Sequence, residues 1–167
     1  SFTGLRVGMA AMKGLAYALE KPLYGVNTAK ALLAALADMR ESLALIDARR
    51  GELYAYGDLL TAPQCLTPQQ LIEHLQSLNR SPRVLVGEGA AKYRSLFEDA
   101  WPNAYIPLNM ASHLPRAALL AVGLDTLITS GKLSADHTAG LEPIYVRKSD
   151  AEINYPDGFP SESRLFK

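Results

Sequence analysis

The chain has a single cysteine, Cys65, among its 167 residues. A disulfide framework within one chain is thereby excluded, and a lone thiol suits a reducing compartment. A nucleophile role would need a histidine brought beside it by the fold, so the expectation is a half-buried loop thiol. Long hydrophobic runs are missing too. No stretch reaches the roughly 20 apolar residues that span a bilayer, and the nearest, residues 5–19, is broken by Arg6 and Lys13. No small-residue cleavage site follows it, so a secretory leader is not expected; the chain reads as cytoplasmic, with no membrane partner. Nor is there an excess of either charge, with 17 Lys plus Arg against 17 Asp plus Glu. Nothing in that balance draws the chain as a whole to a phosphate backbone or an anionic surface. The three histidines, His74, His113 and His137, lie far apart. None makes the His-x-x-x-His spacing that sets two ligands on one helix face, so no metal is expected. His74 and His137 read as surface residues.

What is present is ordinary globular material, 49% hydrophobic and 20% charged, enough for one domain or one and a half small lobes. It opens at Ser1 with Ser-Phe-Thr-Gly and no initiator Met, which reads as part of something larger. A helix is expected from Thr3 or Gly4 to Leu19. Its polar stripe is narrow (Arg6, Lys13, Tyr17, Glu20), and Leu5, Val7, Met9, Met12, Leu15 and Leu19 occupy most of the rest. A helix apolar nearly all round is expected to be buried on more than one side. Leu23–Val26 reads as a short buried strand, and Asn27 or Thr28 as the cap of a second helix to Glu41 carrying Leu32, Leu33 and Leu36.

Strands are expected at Ser42–Ile46 and Glu52–Leu60, joined by the loop Asp47–Gly51. Thr67-Pro68-Gln69-Gln70 starts a helix to Leu78, with Thr as N-cap and Gln at the third position. Arg83–Val86 reads as a strand, Ala90–Ala100 as a helix, Ala104–Ile106 as a strand, Leu114–Thr129 as a helix and Pro143–Arg147 as a last strand. Alternating strands and helices argue for a layered α/β fold. The residues from 151 on, rich in Pro, Gly and Ser, read as a tail.

Chemistry is thinly represented. Gly87-Glu88-Gly89, between a strand and a helix, has the start of a phosphate-cradling turn. Lys92 breaks the complete Gly-x-Gly-x-x-Gly pattern, and a tight strand-to-helix turn explains the glycines equally. Asp47, Arg49, Arg50 and Glu52 crowd the hairpin tip, to pair among themselves or to reach a phosphate or a partner's carboxylate. No nucleophile–base pair and no metal constellation can be assembled, so no catalytic residue is assigned.

Three stretches resemble one known family. Ser1-Phe-Thr-Gly-Leu-Arg-Val-Gly8 with Lys13-Gly-Leu-Ala16 is similar to the signature helix of the TsaB (YeaZ) family. Asp47-Ala-Arg-Arg-Gly-Glu-Leu-Tyr54 is similar to its hairpin, and Glu142-Pro-Ile-Tyr-Val-Arg147 to its C-terminal strand. The resemblance implies the two-lobed actin/Hsp70/sugar-kinase fold, here without its N-terminal β segment. Residues 1–41 would be the remainder of the first lobe, residues 42–150 the second and residues 151–167 the tail. It implies a non-catalytic partner of TsaD in adding threonylcarbamoyl, supplied as the adenylate by TsaC, to adenosine 37 of tRNA. TsaE would be a further partner and a homodimer the state in isolation; tRNA would be met only through the complex. No cofactor of its own is implied, and ATP or ADP only in the assembly. In TsaD the run after the corresponding strand is Asn-His-x-x-x-His, which holds the catalytic metal. Here Thr28 and Leu32 stand in its place, and neither is a competent ligand. The implied partner surface comprises Leu5, Met9, Met12, Lys13 and Ala16 on the first helix and Leu32, Leu33 and Leu36 on the second. The alternatives are a glycoprotease-like metallopeptidase, which needs the missing ligands, and an ATP-binding phosphotransferase of the same fold, which needs the N-terminal phosphate loop, with Gly87 and Gly89 supplying at best the adenosine side. A piece lacking the N-terminal segment is expected to self-associate strongly.

Overall fold

The computed structural model describes residues 2–34, 36, 40–118, 121 and 140–147. The strands are β1 (Ser42–Arg49), β2 (Glu52–Gly57), β3 (Gln64–Leu66) and β4 (Val84–Val86), hydrogen-bonded in the order β3-β2-β1-β4. The helices are α1 (Phe2–Ala18), α2 (Thr28–Leu33), α3 (Pro68–Ser77), α4 (Glu88–Lys92) and α5 (Arg94–Ala100), followed by a 3-10 turn at Met110–His113.

β1 organises the molecule. It pairs antiparallel with β2 and parallel with β4, and its residues 42–45 are all buried. Alternate side chains of a strand point to opposite faces, so unbroken burial means both faces are covered. On one face Leu43, Leu45, Leu53 and Leu85 meet Leu71 and Leu75 of α3 and Phe97 of α5. Phe97 stacks on Trp101 with centroids 5.8 Å apart and planes 11° from parallel. On the other, Ala44 and Val86 meet Ala29, Leu32 and Leu33 of α2. The result is a helix–sheet–helix sandwich, as the alternating pattern implies.

Local chemistry fixes the ends of these elements. The Asp58 carboxylate accepts the N–H groups of Glu41 at 2.8 Å and Ser42 at 3.1 Å, tying the start of β1 to the end of β2. A Cβ on Gly57 would lie 2.0 Å from the Ser42 carbonyl oxygen, so only glycine lets the two backbones approach so closely. β2 therefore ends there, short of the expected Leu60. α3 begins with the expected capping box: Gln70 N–H donates to Thr67 Oγ1 at 3.2 Å, and Thr67 N–H to Gln70 Oε1 at 2.9 Å.

Other expectations are corrected. Residues 21–27 form no strand, since no ladder reaches them among the described residues. α2, capped by Asn27 through the N–H groups of Ala29 and Lys30, closes at Leu33 and turns at Ala34 rather than running to Glu41. The loop Asp47–Gly51 shrinks to two residues, because β1 runs on to Arg49 through a bulge at Ala48. The helix expected at Ala90–Ala100 starts earlier and divides at Tyr93, whose φ of −108° and ψ of 27° leave the helical region. Ala104–Ile106 contributes one parallel bridge, Val84 to Tyr105. Pro143–Arg147 is not a strand. The helix expected from Leu114 is assigned only from Ala117, past Pro115; most of it, His137 and the tail lie outside the described residues. Among the described residues no helix is long and apolar enough to cross a membrane.

Candidate functional site

α1 presents most of its apolar side chains to solvent. Leu5, at 44%, is the least exposed of an aliphatic set that includes Met12 and Leu15 and reaches 63% at Val7. Among its described side chains only Ala16 is buried, while Met9 and Lys13 are half-buried. The expected burial on several sides is therefore absent within the described chain. One edge of α1 meets the segment Leu141–Tyr145 across a groove of about 350 Å³, lined by Arg6, Met9 and Lys13 on the helix side. There the Arg6 guanidinium donates from Nε to the Tyr145 hydroxyl at 2.8 Å and lies 5.5 Å from the ring centroid. A guanidinium over an aromatic face is attracted by the ring quadrupole, which pins that edge and leaves Leu5 and Met12 outward.

The second-helix members of the expected surface behave differently. Leu32 and Leu33 are buried against the sheet, and Leu36 packs half-buried beside them. The first two are core, placed there because α2 lays its i, i+3 and i+4 residues on the sheet. Thr28 is exposed at the head of α2, one turn before Leu32.

The glycine turn packs closely against β1 and β2. Gly87 has φ of 100°, and a Cβ there would sit 2.3 Å from the Leu45 carbonyl oxygen; one on Gly89 would sit 2.5 Å from Leu53 Cδ2. Their role is to let α4 start against β1. The tight strand-to-helix turn accounts for both glycines by this packing against β1.

At the hairpin base Asp47 accepts from Lys92 Nζ at 3.0 Å and lies 3.9 Å from Arg49. Burial pushes its carboxyl pKa up, but the Lys92 hydrogen bond, the Arg49 backbone N–H and the two positive charges outweigh that and hold it below the usual carboxylate value. Glu52 accepts from Arg147 at 2.7 Å, and the same guanidinium reaches the Ala48 carbonyl at 3.4 Å. These contacts replace the ladder expected of Pro143–Arg147. Cys65 is half-buried on β3, and burial followed by the nearby Glu52 charge pushes its thiol pKa up; this is the opposite of what a nucleophile needs. His113 is buried with its Nε2 2.7 Å from the Pro107 carbonyl. Among the described residues no three of His, Cys, Asp and Glu converge as a metal-binding group.

Residues 1–155 match the family model of TsaD, tRNA N6-adenosine threonylcarbamoyltransferase. The chain belongs to the TsaD family. Among curated proteins it is 28% identical over 165 residues to the tRNA threonylcarbamoyladenosine biosynthesis protein TsaB of Bacillus subtilis (strain 168), covering 93% of this chain and 69% of that one. It is 26% identical over 170 residues to the TsaB of Haemophilus influenzae, covering 85% and 71%. Among solved structures, YeaZ from Pseudomonas aeruginosa superimposes with a TM-score of 0.60 at 24% identity, over 87% of this chain and 70% of that one. A second Pseudomonas aeruginosa structure, described as similar to the peptidase YEAZ, gives 0.62 at 20% identity, over 88% and 69%. Within the TsaD family the chain therefore goes with the TsaB (YeaZ) proteins. The mixed sheet between helices is the fold of this group.

Sequence reasoning about this TsaD-family chain missed three things: β3, the 3-10 turn and the Arg147–Glu52 pair. β3 is three residues long and follows Pro63, too short for alternation to register. The 3-10 turn had a usable signal in Asn109, whose side chain accepts from the Ala111 N–H at 2.9 Å. Nothing in the sequence links positions 52 and 147.

Proposed function

We propose that the chain is the non-catalytic scaffold subunit of the cytoplasmic assembly that forms threonylcarbamoyladenosine at position 37 of tRNA. In this reading it holds a TsaD-type catalytic subunit on the outward face of α1. The TsaB relatives named for that biosynthesis supply the pathway, and the exposed apolar side chains of α1 carry the docking role. Such a face gains free energy when covered, on the order of 25 cal/mol per Å² of apolar surface removed from water. A second copy takes the same face when the catalytic subunit is missing. A TsaE-type ATPase joins the assembly, and nucleotide enters only there. The non-catalytic part of the reading rests on Thr28 and Leu32, which stand where the resemblance places metal-binding histidines; an exposed hydroxyl and a buried isobutyl group are poor substitutes.

The test is size-exclusion co-elution with the TsaD protein of the same organism. The wild-type pair is expected to run as one stoichiometric species, and Met12→Glu to separate it. Met12 is 51% exposed, so a glutamate there is solvated in the free chain and costs free energy only under a partner. Co-elution unaffected by Met12→Glu would move the surface off that residue. Independent elution of the wild-type proteins would remove the scaffold role.

A further inference from the structure

The turn closing β1 and β2 is built against local preference. Arg49 pairs with Glu52 across it, so Arg50 and Gly51 are its two central residues. Their φ values, 53° and 81°, are both left-handed, as a type I′ hairpin turn requires. Arg49 before them is left-handed as well, at 65°. Asn-Gly or Asp-Gly fills such a turn at least steric cost, whereas the Cβ of an arginine crowds the following carbonyl. Two successive left-handed arginines at an exposed tip point to a demand from outside the turn.

The surrounding charges say what kind of demand. The Arg49 side chain is 86% exposed and 3.9 Å from Asp47, which is already engaged by Lys92 at 3.0 Å. Glu52, the carboxylate just past the turn, is held by Arg147. Arg49 and Lys92 thus share one carboxylate, and Arg50 stands beside Arg49 at the exposed tip. The bulge at Ala48 and the left-handed residues fix the direction of both arginine stems. A guanidinium offers a planar fork of donors that matches phosphate oxygens. A phosphodiester backbone, with a charge at every nucleotide, offers successive cations a partner each, whereas the one carboxylate of Asp47 is shared.

We propose that this turn grips the phosphodiester backbone of an RNA, with Arg49 and Arg50 as the contacts and Lys92 as the flanking cation. The inference rests on the reading of the chain as part of an RNA-modifying assembly. The site is local on a neutral chain, so it positions an RNA held mainly by other parts of the assembly.

The experiment is fluorescence anisotropy of an end-labelled, unmodified tRNA transcript titrated with the full chain, alone and with the TsaD-type subunit, between about 50 and 200 mM salt. Arg49→Ala/Arg50→Ala is expected to weaken binding about tenfold at ~0.1 M salt and to flatten the slope of log K against log salt by roughly 1.4–1.8. Arg50→Asn recreates Asn-Gly, so it is expected to weaken RNA binding while raising Tm by about 2 °C. Misfolding cannot move those readouts in opposite directions. Unchanged affinity and slope in both variants, or no RNA binding by the wild type in either form, overturns the proposal. If Arg49→Glu/Arg50→Glu abolishes co-elution with the TsaD-type subunit but leaves the RNA affinity of the chain alone intact, the turn serves a carboxylate on that subunit, and the RNA contact is overturned. If the wild-type proteins never co-elute, the scaffold reading fails by itself, and the titration of the chain alone still decides this one.

Discussion

α1 is richer in Ala and Gly than the β1–α5 unit and poorer in Leu, and the two regions solve the burial problem differently. From Ser42 to Ile106 each apolar run finds its cover within the chain: Leu43 and Leu45 under α3 and α5, Ala44 and Val86 under α2. Along α1 the cover within the described residues is one edge, where Arg6 and Tyr145 meet, and Leu5, Met12 and Leu15 remain outward. The two regions also differ at their ends. α3 closes its first turn with the Thr67–Gln70 capping box, whereas α1 has no acidic residue in its first turn and no basic residue in its last. α1 closes instead at its C-terminal end, where Glu20 is left-handed at φ 51° and the Lys21 N–H donates to the Ala16 carbonyl at 2.9 Å. What it lacks within the described residues is cover for its apolar face, and packing of that face supplies most of a helix's stability. In this molecule apolar side chains form the core in one place and stand exposed in the other.

The sharpest way to break that comparison is to truncate one large side chain in each region and follow urea unfolding. Phe97 is fully buried and stacked on Trp101, so Phe97→Ala is expected to cost about 3–5 kcal/mol. Leu15→Ala on α1 should stay within about 0.5 kcal/mol in the free chain, because the side chain is already in water. Equal losses at the two sites would mean that α1 is buried in solution, and the docking surface would disappear with that result.

How far the sequence alone reached depended on whether the deciding contact was local. The capping box, the strand at Ser42–Ile46 and the β1–β2 pairing are carried by neighbouring residues, and periodicity and spacing found them; the cap of α2 was narrowed to Asn27 or Thr28, and Asn27 holds it. Periodicity also established that α1 is apolar nearly all round, but a pattern on one helix is silent about the object that faces it. Burial was the natural inference, under the chain's own sheet or a partner, and within the described chain most of that surface is left uncovered. Leu32 and Leu33 failed for the converse reason: an amphipathic helix reads the same whether its apolar side meets its own sheet or a partner. The Asp58 tie to Glu41 and Ser42 and the Arg147–Glu52 pair span 16 to 95 residues, beyond any local pattern. Gly87 and Gly89 show the limit most plainly, since a phosphate and the Leu45 backbone make the same demand for a missing Cβ.

A smaller effect sharpens the contrast in how helices are held. Thr67→Ala removes the acceptor for the Gln70 N–H and is expected to cost about 1 kcal/mol, with Thr67→Asp recovering most of it. Both are readable as shifts in the urea midpoint at constant slope. If Thr67→Ala is silent, the boundary of α3 is set by Leu71 and Leu75 in the core, and the capping box adds nothing to it.

The smallest expected effect concerns pH at the Asp47–Lys92 bridge, which joins the hairpin to α4. Asp47 has a carboxyl pKa below its ordinary 3.8 in the folded chain, burial being outweighed by Lys92 and the Arg49 N–H. A depressed carboxyl pKa means the unfolded chain binds that proton more readily, so the contribution is fully present above about 4 and is lost as pH falls through the folded value. Lys92 moves the other way: its pKa is raised above 10.5, first by the hydrogen bond to Asp47 and against a small desolvation cost. Its share is present below that value and is lost only as pH rises through the shifted one. The bridge should therefore be insensitive to pH across the neutral range and fade at both extremes. Comparing Tm of the wild type with Lys92→Met gives the check. The gap should stay constant from about pH 5 to pH 9 and close as the solution is taken below about pH 4. A gap that persists at strongly acid pH would show that Lys92 acts through its packing on Tyr93, 5.1 Å from the ring centroid, and not through the Asp47 carboxylate.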